Sequence, residues 1–77
     1  MTQESPTRVV IWVRWDAAYE VWYGGSDQVP GLILEHADFD QLVEAALDVT
    51  PDLIESNRPD LKGLPIHIVA DRIHVPA

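Results

Sequence analysis

The sequence predicts an α+β domain: a two-layer β-β-β-α-β sandwich with a four-stranded sheet in the order 3-2-1-4 and one helix packed on one face. Three observations predict it. Residues 8–15, RVVIWVRW, are a β-branched and aromatic run that is apolar on nearly both faces, as a central strand requires. Residues 39–54 place apolar side chains at the helical period. The chain is 77 residues long, enough for one sheet face covered by one helix but not for a second covering layer.

The elements follow in order. Residues 1–7 are polar and are expected to form a disordered tail ahead of a single domain over residues 8–77. In the first strand Val9, Ile11, Val13 and Trp15 share one face, and Val10, Trp12 and Arg14 the other. Residues 16–19 can close a short hairpin loop, placing residues 20–24 antiparallel to the first strand. Trp15 is then expected opposite Glu20, Val13 opposite Trp22 and Trp12 opposite Tyr23. Gly24 and Gly25 open a loop that reaches Pro30 and Gly31, a pair suited to the central positions of a type II turn. Residues 32–36 make a third strand.

The helix is expected to begin at Asp38 as N-cap, with Gln41 three residues on, close to a capping box. It buries Phe39, Leu42, Val43, Ala46, Leu47, Leu53 and Ile54. Pro51 interrupts this stripe. The expectation there is a kink, or a second short helix capped by Thr50 with Pro51 at its first position. Residues 57–63 read as a polar loop. The last strand spans about residues 64–75; Ile66 and Ile68 share one parity and Ile73 and Val75 the other, so a bulge or break is expected near Ala70 and Asp71. A crossover from the helix returns this strand parallel to the first, at its free edge.

Composition narrows the function. Thirteen acids against five bases give a net charge of −8, which repels phosphate backbones and argues against direct nucleic-acid binding. An acidic surface suits a basic protein partner; solubility alone is the plainer explanation of the same charge. With no cysteine, neither a disulfide framework nor a thiol nucleophile is available. The polar start lacks the basic and apolar regions of a secretory signal, and no run approaches a membrane span, so a cytoplasmic protein is expected.

Catalytic readings find little support. Asp16 and Asp71 are the carboxylates that can meet at the sheet, and two make a weak Mg²⁺ site. His36, His67 and His74 lack a metal-ligand spacing. Ser26 and Ser56 have no nucleophile-elbow context, and Gly24-Gly25 lacks the following helix and basic residue of a phosphate cradle. Neither enzymatic activity, metal nor cofactor is expected.

The segments VVIWVRWD at residues 9–16, VWYGGSDQVPGL at 21–32, EHADFDQL at 35–42 and PDLIESN at 51–57 together resemble the HicB-like antitoxin family, in its branch of small single-domain members. The likeness covers residues 8–75. It implies a truncated RNase-H-like fold, the same element order as above. Family members often place threonine at the helix N-cap where this chain has Asp38, and aspartate accepts the same backbone hydrogen bonds. The resemblance implies a bacterial protein that binds and neutralises a small basic mRNA-cleaving toxin, HicA-like, by covering the surface around its catalytic histidine. Many members carry a C-terminal DNA-binding segment; this sequence ends at Ala77 after the last strand, so neutralisation without that segment is the expectation.

One helix covers one sheet face, so Val10, Trp12 and Tyr23 are expected on the other. Large apolar groups left exposed there point to a contact surface, with the acidic loop at Asp27 beside it. Free edges at the third and fourth strands invite pairing with another chain, and a homodimer or higher oligomer is expected. An oligomerising structural domain with some other partner or ligand is the alternative function.

Overall fold

The computed structural model describes residues 6–72. Most of the expected tail, His74, and the phase change at Ile73 and Val75 lie outside them. Four strands are formed: β1 (Val9–Asp16), β2 (Val21–Gly25), β3 (Ile33–His36) and β4 (Ile66–Asp71). Between β3 and β4 run a single helix, α1 (Phe39–Asn57), and a 3-10 turn at Pro59–Leu61. The sheet order is β3-β2-β1-β4, with β1 antiparallel to β2 and parallel to β4. This is the expected α+β sandwich. Among the described residues no helix is long and apolar enough to cross a membrane.

The first hairpin differs in register from expectation. Trp15 faces Trp22 and Asp16 faces Val21, so the pairing is displaced by two residues. The turn explains the displacement. The Asp16 carboxylate accepts hydrogen bonds from the backbone N–H of Ala18 (3.0 Å) and Tyr19 (3.3 Å), and Glu20 takes a left-handed φ of 54°. Residues 17–20 are thereby spent in the turn and β2 starts at Val21. A displacement of two preserves the side-chain faces that a displacement of one would exchange.

The inward face of β1 supplies the centre of the core. Val9, Ile11 and Val13 are fully buried, each worth about 1.5–3 kcal/mol. Above them lie Leu42, Ala46, Thr50 and Ile54, one helical ridge at four-residue spacing. Leu47, expected in that stripe, is instead 49% exposed, because it lies on the flank of the ridge. Val29 and Leu61 are buried core residues contributed by segments that read as polar loops.

Pro51 neither ends nor divides the helix, which runs on to Asn57, so Thr50 is an interior helical residue and not a second N-cap. Proline there removes the donor for the carbonyl of Leu47. Both residues lie on exposed flanks, where the freed carbonyl costs less than it would in the core. Of the two alternatives near Ala70 and Asp71, the bulge does not form: β4 pairs with β1 without interruption and ends at Asp71.

The helix C-terminus is tied to the loop after β2. Arg58 donates to the carbonyl of Gln28 (2.9 Å) and grips both carboxylate oxygens of Asp60 (3.0 and 2.8 Å). These hydrogen bonds hold the Asp60 carboxyl below its ordinary pKa and raise that of Arg58. Asn57 donates to the carbonyl of Pro30 (3.2 Å).

The packing makes two predictions. The hydroxyl of Thr50 is buried without a hydrogen-bond partner. Thr50→Val removes an unsatisfied polar atom at equal shape and is expected to stabilise the fold by about 1 kcal/mol, read as a higher urea midpoint at unchanged slope. Asp60, whose folded pKa is depressed, stabilises the fold above the ordinary carboxylate range and loses that contribution as pH falls through the folded value. The urea midpoint of Asp60→Asn should therefore lie below wild type at neutral pH and converge with it in acid.

Candidate functional site

Alternation along the strands places every second residue on the sheet face opposite the helix. Two rows of directly paired residues cross that face. One is Ile33–Gly25–Trp12–Val69, wholly without charge. Beside it runs Glu35–Tyr23–Arg14–Asp71, polar and mixed in sign. Ile33 is 87% exposed and Val69 43%, while Val10, Trp12 and Tyr23 are half-buried.

The rings are held in place by their neighbours. Trp12 and Tyr23 meet edge to face with centroids 5.9 Å apart, and the Arg14 guanidinium lies 4.6 Å from the centre of the Trp12 ring. Gly25 explains how Trp12 can lean across β2. A Cβ at position 25 would sit 3.0 Å from Trp12 Cζ2 and 3.1 Å from the carbonyl oxygen of Leu32. The missing side chain is the space the indole uses. Between this ring, Ile33 and Tyr23 lies an open groove of about 440 Å³, with Asp16 and Glu35 on its wall.

The sequence-expected site residues are thus partly gathered. Val10, Trp12 and Tyr23 share the uncovered face. Asp27 is exposed in the adjoining loop, two residues past β2. That loop is anchored by Gln28: its side chain accepts from the Val10 N–H (2.7 Å) and donates to the Arg8 carbonyl (2.9 Å), filling the ladder positions that β2 leaves empty beyond Trp12. Its backbone N–H bonds the Ser26 hydroxyl (3.1 Å). Pro30 and Gly31 occupy the centre of a turn closed by Leu32 N–H to the Val29 carbonyl (3.3 Å), with Gly31 at φ 85°. Asp38 caps α1 by accepting from the backbone N–H of Gln41 (3.0 Å), and Gln41 itself is exposed. These last contacts are architectural.

Ile33, Gly25 and Val69 are members of the surface that sequence reasoning missed. A signal for Ile33 existed: if Leu32 and Leu34 point inward, alternation sends Ile33 outward. Val69 could not be assigned without knowing which residue of β1 it faces.

Among the described residues no three His, Asp or Glu side chains are grouped to hold a metal. Asp71 faces Arg14 in the register, not Asp16. His36 accepts a hydrogen bond from the Asp38 N–H (3.0 Å) and lies at the helix side of the sheet, whereas His67 is on the open face.

Fold and surface together define a small α+β domain with one bare, aromatic sheet face. The chain belongs to the family described as Domain of unknown function (DUF1902), whose model matches residues 8–76. The crystal structure of hypothetical protein TTHA1013 from the extremely thermophilic bacterium Thermus thermophilus is similar, with a TM-score of 0.65 and 30% sequence identity. That likeness covers 88% of this chain and 97% of the Thermus chain. Comparison with curated proteins gives no match.

Gly25→Val is expected to push the indole of Trp12 off β2, costing about 1–3 kcal/mol and altering the near-ultraviolet circular dichroism of the tryptophans. An unchanged spectrum and stability would show that the ring does not depend on this gap.

Proposed function

We propose that this domain is a non-enzymatic protein-interaction module of the HicB-like antitoxin type, which binds and neutralises a small, basic, mRNA-cleaving toxin. The observation that carries this reading is the uncharged row Ile33–Gly25–Trp12–Val69, exposed on a face the helix does not cover. Half-buried aromatic rings beside protruding aliphatic groups are the usual composition of an interface centre. Acids border it: Asp16 and Glu35 on the groove wall and Asp27 in the adjacent loop.

Charge supports the sign of the partner. Every charged residue of α1 is an acid: Asp40, Glu44, Asp48, Asp52 and Glu55. Most stand four apart on the outward ridge, an arrangement that weakens an isolated helix. Their field raises the rate of encounter with a cationic protein. The segments that resemble HicB-like antitoxins supply β1 and β2, the strands bearing Trp12 and Tyr23.

A second reading, an oligomerising domain with a different partner, is favoured by one observation: among the described residues, nothing pairs with the outer side of β4.

The test is co-expression with the product of the neighbouring small gene. That product should be basic, toxic alone and rescued by this chain. Ile33→Asp changes an exposed side chain, so the fold should survive while affinity for the toxin falls at least about tenfold, the worth of one buried aliphatic anchor. A neighbour that is harmless, or one bound equally well by Ile33→Asp, sinks the antitoxin reading through this face.

A further inference from the structure

Sheet edges in natural proteins are blunted by brevity, proline, lysine or a bulge. β3 is only four residues long. β4 is longer and carries no proline, lysine or bulge, its one charged acid being Asp71 at its end: IHIVAD runs six residues in unbroken register with β1, and among the described residues no strand pairs with its outer side. Its two faces are both incompletely covered. Val69 is exposed on the open face, and Ile66 and Ile68 are only half-buried on the other, since α1 packs towards β3 and β2. A cleft of about 300 Å³ remains between Pro51 and Ile54 of the helix and Leu64 and Ile66. Leu47, exposed, lies one turn before Pro51 on the same flank.

We propose that β4 pairs antiparallel with β4 of a second copy of this chain, about a twofold axis perpendicular to the sheet at Val69. Such an axis opposes residues equidistant from Val69 and keeps their faces. Val69 meets its own counterpart. His67 meets the partner's Asp71, and Asp71 meets the partner's His67, so one dyad creates two imidazole–carboxylate pairs. A dyad one residue to either side instead sets Val69 against the partner's His67 or Asp71, and both matches are lost. In the Val69 register the uncharged row of each copy continues into the other, giving one apolar stripe across eight strands. The acids of the outward helix ridge lie away from this edge, where Asp71 is followed at once by Arg72. Two chains of net charge −8 thus approach along a strip that is locally balanced.

The dimer follows from the domain's role as an interaction module and does not require the partner to be a toxin. Sedimentation equilibrium of the full chain, from micromolar to submillimolar, tests it directly. The wild-type chain should show a monomer–dimer equilibrium that Val69→Lys abolishes. His67→Asp and Asp71→His should each weaken self-association about tenfold, having made the dyad pairs alike. Mixing the two variants should restore association, because each cross-strand pair again joins an imidazole to a carboxylate. Circular dichroism checks that Val69→Lys folds; if it does not, the two variants at exposed His67 and Asp71 carry the test. A wild-type chain monomeric throughout, or a dimer indifferent to Val69→Lys, overturns the proposal. So does a mixture that associates no better than its separate components. Toxin capture, measured separately on the same variants, distinguishes failure of this dimer from failure of the antitoxin reading.

Discussion

A four-stranded sheet served by one helix has one face that the helix does not cover, and the rest of this molecule is arranged around that constraint. β1 lies between β2 and β4, so its backbone is paired on both sides. Its odd-numbered residues go to the helix side, where Val9, Ile11 and Val13 disappear from solvent; its even-numbered ones go to the bare face. Val9, Ile11 and Val13 therefore hold the fold together while Val10 and Trp12 remain available for contact. Core and surface are two faces of a single strand.

Building a large indole onto a bare face requires support from below and beside. Gly25 provides the space, Tyr23 an edge-to-face neighbour and Arg14 a cation over the ring. The loop after β2 provides the rest. Gln28 hydrogen-bonds β1 with its side chain, and its carbonyl is held by Arg58 at the end of the helix. One residue thus couples the helix C-terminus to the end of the strand that carries Trp12. At the opposite end of the sheet an aromatic chain performs a comparable task. Trp15, Trp22 and Phe39 stack edge to face at 5.3 and 4.9 Å, linking the hairpin to the first residue of α1, with Arg72 4.7 Å above Trp15. The rings of this face are thereby held by named neighbours, and a contact surface ordered before binding loses little conformational entropy on binding.

The charge distribution divides the surface by role. The helix turns a continuous acidic ridge to solvent, where it sets the long-range field without touching the aromatic face. The open face is apolar at its centre, and its border carries Asp16, Asp27, Glu35 and Asp71 against the cation Arg14, an excess of acid that suits close contact with a basic partner. The β4 edge is nearly neutral, with Ile66 and Ile68 on its helix side and Val69 between His67 and Asp71 on the other, the part of the surface where like-charged copies repel least. The proposed encounter with a cationic protein and the proposed self-association would thereby use different surfaces of a domain this small.

Much of this was legible in the residues alone. Strand order, the apolar faces of β1, the cap at Asp38 and the turn at Pro30-Gly31 all follow from periodicity and from side chains that act on their own backbone, which are local effects. Local effects also misled. Pro51 reads as a helix break, yet burial of Thr50 and Ile54 on either side carries the helix through it. Residues 16–20 admit more than one turn, and the left-handed Glu20 selects the observed register. The core roles of Val29 and Leu61, and the alignment of Ile33, Gly25, Trp12 and Val69 in one row, depend on partners far away in the chain. A sequence determines which face each residue of a strand presents, because alternation is a property of the backbone itself. Only the tertiary structure decides which residues stand side by side across strands, because that is set by register, and register is a relation between segments that no single segment contains.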